Sequence, residues 1–333
     1  MLLCCGTPSP TALSEPKEPV NTAQIDDRLV IPTVIQHGGF AVFPIVDTKA
    51  TKRPKGKYLT LDEALQTEIL EVKEVDESGS VPTLLVHNKG KHPVLLFVGD
   101  VVTGGKQDRV ITEDLVLEPT EEPVSVAVNC VEQGRWSGAT GIHFGYGGKA
   151  EADLIRALGE KNQGTTWSKV AELNAQKAVA TGAPGLAPAS GTYRASLENE
   201  AVDEQITAAR KVIDTELDEI DGVVGLVLAL DGEVDSAELY AHPNLFDKAQ
   251  VGLVDSYARE ALGRDLFEKR TNPPTATEAA TFVREAREAK VVEEEAKASS
   301  VSRRLDSLES EAFVLSADDG TVVRERMHKK KKK

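Results

Sequence analysis

Residues 223–230 read Val-Val-Gly-Leu-Val-Leu-Ala-Leu, the strongest strand signal in the chain, and Asp231-Gly232 turns it back into a second run at 234–240. Asp-Gly between two such runs specifies a two-residue hairpin, because both central positions of the tight turn need a left-handed backbone that Asp and Gly tolerate. Antiparallel pairing is therefore written into the chain, and the remaining elements have to be arranged around it.

Upstream, short apolar runs at 29–35 and 40–46 flank a His37-Gly38-Gly39 turn. Residues 69–75 alternate apolar with charged, as a half-exposed strand does, and 83–86 is the return strand. Residues 93–98, 110–117 and 124–131 are further strand candidates. Thr60-Leu61-Asp62-Glu63 is a capping box that opens a short helix: Thr60 bonds the amide of the third helical residue and Glu63 reaches back. This half is predicted to be a mostly antiparallel, β-rich sandwich or open barrel. A glycine-rich stretch, with Gly134, Gly138, Gly141, Gly145, Gly147 and Gly148, reads as a linker.

From Ala150 the character turns helical. Residues 151–158 and 166–180 are candidates. Within 198–220, Val202, Ile206, Ala209, Ile213, Leu217 and Ile220 recur at helical spacing and trace one face. Residues 245–267 form a long helix, and a second capping box, Thr275 to Glu278, starts a charged helix expected to reach about Lys297. A last hairpin, 311–315 with 321–326, turns at Asp318-Asp319-Gly320. The class is α+β, with helices and a β-hairpin in the C-terminal half. The expected organisation is a disordered leader (1–27), an α+β domain (28–267), a C-terminal helix and hairpin (268–327) and a basic tail (328–333).

Composition excludes several classes. Apolar residues make up 40% of the chain and glycines number 26, an ordinary globular balance rather than a disordered one. No apolar run approaches the roughly 20 residues of a membrane helix. Three cysteines cannot make a disulfide scaffold, and neither they nor the six scattered histidines show zinc-like spacing. No metal and no cofactor is implied. The net charge is −15, and the last ten residues carry seven cations and one Glu, leaving −21 on the other 323 (−15 less +6). A body that acidic repels phosphate backbones, so nucleic acid is not its expected partner. Met1-Leu2-Leu3-Cys4-Cys5-Gly6 and the polar stretch after it have the order of a lipoprotein signal's end and tether, without the basic start and apolar core. The expectation is a frayed terminus on a cytoplasmic protein. The alternative is a lipid-anchored extracytoplasmic protein in which Cys4 or Cys5 follows a signal peptide.

Two polar segments stand out between the apolar strands. One is Gly99-Asp100-Val101-Val102-Thr103-Gly104-Gly105-Lys106-Gln107-Asp108-Arg109, and the other is Cys130-Val131-Glu132-Gln133-Gly134-Arg135-Trp136. Together they resemble the ARPP-1 domain family, whose pattern runs G-x-x-x-x-G-G-x-Q-[ND]-R and then C-x-E-x-G-R-W. The matching positions are Gly99, Gly104, Gly105, Gln107, Asp108 and Arg109, then Cys130, Glu132, Gly134, Arg135 and Trp136. Asp108 stands where Asn is expected. Residues 223–240 and 243–246 resemble the family's later strand pair and helix start, so the likeness spans roughly 28–265. It implies a fold, and its association with ADP-ribosylglycohydrolases and phosphatases names no reaction.

The ligand-binding candidates are Gly104, Gly105, Gln107, Arg109, Glu132, Arg135 and Trp136. The arginines suit fork contacts to a phosphate or carboxylate, the glycine amides suit an anion nest, and Trp136 suits stacking. In the structural reading, Arg pairs with Glu132, Gln107 caps the loop and Trp136 fills an interface. Three functional readings follow. The first is a non-catalytic binding or scaffold module for an anionic, nucleotide- or ADP-ribose-like ligand or a protein partner. The second is a hydrolase of an ADP-ribose or phosphate compound with Glu132 or Asp108 as general base. The third is a structural protein that self-assembles into a homo-oligomer through the charged helix.

Overall fold

The hairpin at 223–240 lies at the centre of a ten-stranded sheet in a computed structural model of the chain, which describes residues 22–50, 58–135, 143–183, 186 and 191–331. The N-terminal strands are β1 (Ala23–Gln24), β2 (Leu29–Ile31), β3 (Ile35–His37), β4 (Phe40–Asp47) and β5 (Leu59–Thr60). Helix α1 (Leu61–Gln66) then precedes β6 (Leu70–Glu74), β7 (Thr83–Asn88), β8 (Val94–Leu96), β9 (Asp100–Thr103), β10 (Arg109–Ile111), β11 (Leu115–Leu117), β12 (Val124–Cys130) and β13 (Gly145–Lys149). Helices α2 (Ala152–Leu158), α3 (Gln163–Thr181), α4 (Arg194–Leu197) and α5 (Glu200–Leu217) lead to the central hairpin, β14 (Val223–Leu230) and β15 (Glu233–Tyr240). The chain closes with α6 (Pro243–Gly263), α7 (Ala276–Arg287), β16 (Lys290–Lys297), β17 (Ser300–Asp306), β18 (Ser310–Ala317) and β19 (Val322–Lys329).

The large sheet runs β1-β2-β4-β14-β15-β19-β18-β17-β16, with β3 also on β4. Successive side chains of a strand point to opposite faces. All eight residues of β14 are buried because both faces are covered. Leu226 and Leu228 pack with Val202, Ile206 and Ile213 of α5 and with α6, while Val227 and Ala229 pack with Ala279, Ala280 and Val283 of α7. Each fully buried Val or Leu contributes about 1.5–3 kcal/mol, so this strand anchors the layers. A six-stranded sheet, β13-β9-β10-β12-β7-β6, and a three-stranded one, β11-β8-β5, form a half-barrel around a third core that includes Leu84, Leu96, Leu117 and Val126. The fold is α+β with mostly antiparallel sheets, as expected. Both capping boxes are formed, at Thr60 with Glu63 and at Thr275 with Glu278.

Five local expectations need correction. The leader does not extend to residue 27: Ala23–Gln24 pair with β2, and Ile25 is buried. The run 110–117 is two strands in different sheets, because Asp114 breaks out to accept from the Val98 amide. Gly145–Lys149 is not linker but strand β13, laid on β9. The charged helix stops at Arg287, and the chain reverses as edge strand β16, paired with β17. The homo-oligomer reading therefore loses the long helix on which it rested. The basic tail is partly built into the sheet. His328 and Lys329 belong to β19, Lys330 pairs with Asp306 at 2.5 Å, and Lys331 pairs with Asp153 at 2.5 Å. No helix among the described residues is long and apolar enough to cross a membrane.

Candidate functional site

Strand register brings the two polar segments together. Arg109 faces Val102 on β9 and Cys130 on β12, so the loop 104–108 between β9 and β10 lies beside the end of β12. The loop passes under residues 143 and 144, which explains its glycines. A Cβ on Gly105 would sit 2.1 Å from the Phe144 ring, and one on Gly104 would sit 2.6 Å from the His143 carbonyl. Both residues also have positive φ, +51° and +129°, a region that L side chains rarely adopt.

The polar residues of both segments bond to one another. The Gln107 Nε2 donates to the Glu132 carbonyl at 2.9 Å, and the Asp108 amide donates to Glu132 Oε2 at 3.1 Å. Arg135 donates Nε to Glu132 Oε1 at 2.8 Å, Nη1 to the Gly105 carbonyl at 3.1 Å and Nη2 to Asp108 Oδ1 at 3.2 Å. The Gly104 amide donates to Asp108 Oδ1 at 2.9 Å. Asp108 is 1% exposed and Gln107 5%.

A third segment completes the cluster. Residues 191–194 dock along the end of β12: the Gln133 amide donates to the Gly191 carbonyl at 2.6 Å, and the Tyr193 amide donates to the Val131 carbonyl at 2.8 Å. Arg194 is thereby aimed at Asp108, with Nε on Oδ2 at 2.8 Å and Nη2 on Oδ1 at 2.5 Å. About a third of the Arg135 and Arg194 side chains is exposed. Burial alone would raise the Glu132 carboxyl, but the Arg135 hydrogen bond and the Asp108 amide outweigh it and hold the pKa below its ordinary value.

Arg109 takes a different place. It is fully buried, and its Nη2 lies 3.9 Å from Glu74 Oε1 on β6. Burial lowers its pKa. Glu74 also accepts the Lys106 amide at 2.9 Å, so Arg109 and Glu74 tie the loop to the neighbouring strands. Trp136 lies outside the described residues. Cys130 is fully buried, with its Sγ 2.9 Å from the Glu132 carbonyl oxygen. Burial raises its pKa.

Arg194 and Glu74 are absent from both sequence segments. Arg194 reaches its partner across 86 positions and Glu74 sits on the charged side of a strand read as half-exposed, so neither left a local signal. A second charged region was also hidden. On β15 and β19, Glu238 and Arg324 are buried and bonded at 2.7 Å, and Arg324 reaches Asp114 at 2.7 Å. Lys149 lies 3.6 Å from Glu238. Burial would raise the Glu238 carboxyl, but Arg324 and Lys149 bring it to about 2. Nearby, burial wins for Asp100, pushed up to about 6. No group of three or more His, Cys, Asp or Glu among the described residues is arranged to hold a metal ion.

The sequence model of one family, described as the ARG and Rhodanese-Phosphatase-superfamily-associated Protein domain (ARPP-1), matches residues 28–327. The match takes in α7 and β16 to β19, beyond the span of the two polar segments and the central hairpin. No curated protein and no solved structure matches the chain.

Proposed function

The chain belongs to the ARPP-1 family, and on that premise we propose that it is a non-catalytic binding module for an anionic, nucleotide- or ADP-ribose-like ligand. Arg135 and Arg194 are the proposed contacts. Gly104, Gly105, Gln107, Asp108 and Glu132 form the frame that aims them, and Arg109 braces the loop from beneath. One observation carries the reading: two guanidinium groups from distant segments converge on one buried carboxylate, each with about a third of its side chain exposed. Guanidinium forks match phosphate and carboxylate geometry. Arg194 spends Nε and Nη2 on Asp108, which leaves Nη1 to donate outward.

The hydrolytic alternative asks Glu132 or Asp108 to accept a proton. Both Glu132 oxygens already accept hydrogen bonds, and its pKa is lowered rather than raised toward neutrality. Both Asp108 oxygens are held by guanidinium groups. A carboxylate held below its ordinary pKa, as that of Glu132 is, is a weak general base at neutral pH, which favours binding without turnover.

Thermal-shift measurements with ADP-ribose, NAD and nucleotides test this. The expected result is a rise in melting temperature at millimolar ligand that is lost in Arg194→Gln, a variant whose unliganded melting changes little. A wild-type protein that none of these compounds stabilises, or an Arg194→Gln protein that responds equally, overturns the reading.

A further inference from the structure

We propose that β15 and β19 enclose a second, buried site for a small oxyanion of the phosphate class, held by Arg326, His328 and Ser236 with Arg156 at its edge. The site is independent of the Arg135–Arg194 cluster. Three successive positions on one face of β19 are Arg324, Arg326 and His328, and their register partners on β15 are Tyr240, Glu238 and Ser236. Arg324 is saturated by two carboxylates, Glu238 and Asp114. Arg326 is only 4% exposed and forms no salt bridge among the described residues; the carboxylates whose charges reach it, Asp114, Glu238 and Glu311, are each bonded to another arginine. Its guanidinium stacks 4.2 Å over the Phe313 ring and bonds the Nε2 of His328.

That last contact fixes the tautomer. A guanidinium only donates, so His328 Nε2 must accept and the ring proton must sit on Nδ1. His328 Nδ1 and Arg326 Nε have no hydrogen-bond partner among the described residues, nor has Arg156 Nε, although the other nitrogens of Arg156 pair with Asp153 and Asp235, and Ser236 Oγ interacts with the neighbouring Tyr257 hydroxyl. His328 and Ser236 are 6% and 2% exposed and face each other across the strands. Three of these four are obligate donors, and Ser236 can donate. Buried donors in native proteins find acceptors, and a buried guanidinium needs an opposing charge. A water molecule would supply lone pairs but no charge, whereas an oxyanion supplies both.

The local field agrees. His328 is pushed far below its ordinary pKa by burial and then by Arg326, Arg156, Arg324 and Lys149. Arg326 falls to about 10, chiefly through burial. Asp153 and Asp235 offset Arg156, and Asp114 and Glu238 offset Arg324 and Lys149, which leaves Arg326 without a salt bridge of its own among the described residues. Arg156, 17% exposed, marks the side that solvent reaches.

The test uses the full chain in phosphate-free buffer, titrated calorimetrically with inorganic phosphate and, separately, ribose 5-phosphate. Inorganic phosphate is expected to bind the wild type once per chain, with affinity lowered about tenfold or more in Arg326→Met. Ser236→Ala, a small change that preserves folding, is expected to weaken binding by a few-fold. Melting gives a second readout. Without phosphate, Arg326→Met melts at or above the wild type, because it removes an unmatched buried charge, and saturating phosphate reverses that order. Binding of phosphate alone identifies a free ion, and binding of both compounds identifies the phosphate group of an organic ligand. Either result supports the site. Failure of the wild type to bind phosphate at millimolar concentration, or equal binding by Ser236→Ala and Arg326→Met, overturns it. Phosphate binding lost in Arg194→Gln and kept in Arg326→Met would assign the ion to the other cluster.

Discussion

The cluster around Asp108 and the ladder of β19 are built from the same residue types, and they differ in what surrounds them. Around Asp108, two arginines share two carboxylates, and water reaches about a third of each arginine. On β19, Arg324 is 1% exposed and bonds two carboxylates, while Arg326 is 4% exposed and bonds none among the described residues. In the first case solvent meets part of the cost of each charge. In the second the interior must meet all of it. A polar motif at a surface loop can therefore serve as a tie and still offer a guanidinium edge to a ligand, whereas an interior ladder needs an internal counterion at each rung.

The largest effect is expected at Glu238. Glu238→Gln leaves Arg324 and Lys149 buried with one carboxylate fewer, a loss of about 3–5 kcal/mol typical of broken buried pairs. Glu132→Gln in the outer cluster should cost less than half of that. Acid should act on the same buried pair. The Glu238 carboxyl sits at about 2 in the fold against an ordinary 4.5, so its stabilisation is present above pH 4.5 and is lost as pH falls toward 2. Urea unfolding of wild type and variant should converge across that window. A gap that ignores pH, or equal costs for the two substitutions, would break the contrast between interior and surface.

A smaller effect is expected at Asp108, where the family pattern carries Asn or Asp. Asp108→Asn keeps an oxygen for the Gly104 amide and removes the charge shared by Arg135 and Arg194. The expected loss is about 1 kcal/mol at low salt. Salt should shrink it, because the arginines are partly exposed, and should leave the Glu238 cost nearly unchanged. The same variant releases two guanidinium groups, so any anion bound there should bind more tightly. Tighter binding with a salt-dependent stability loss would support the proposed role of the cluster, and weaker binding would count against it.

The sequence carried the hairpin at 223–240, both capping boxes and the buried face of α5 because each is local: a turn dipeptide, a four-residue box and a helical repeat. The outer cluster was half legible. Its glycines and its arginine, glutamine and acidic residues form compact segments, but Arg194 arrives from a loop that carries no comparable pattern. The ladder of β19 was not legible at all. Val-Val-Arg-Glu-Arg-Met-His-Lys alternates like a solvated strand and runs into a lysine tail, so Arg324, Arg326 and His328 read as surface. They are buried because Asp114 and Lys149 come from the half-barrel to cover them, and long-range placement of that kind has no local sequence signal. The same blindness made β16 look helical: three consecutive glutamates suit a helix surface, and only pairing with β17 reveals a strand.

That hairpin supplies the smallest effect and the end point of the series. Glu294 and Arg303 are register partners on β16 and β17 and bond at 2.5 Å, yet their side chains are 56% and 40% exposed. Their distance is as short as any in the Asp108 cluster, so distance alone would rank them equal. Exposure ranks them last, because water screens the attraction and two long side chains must be ordered to make it. Arg303→Gln should cost no more than about 0.5 kcal/mol in urea unfolding, and that cost should vanish in high salt. A loss comparable with that of Asp108→Asn would mean that the edge strand depends on its charges for pairing, and that exposure is not the variable separating these three sites.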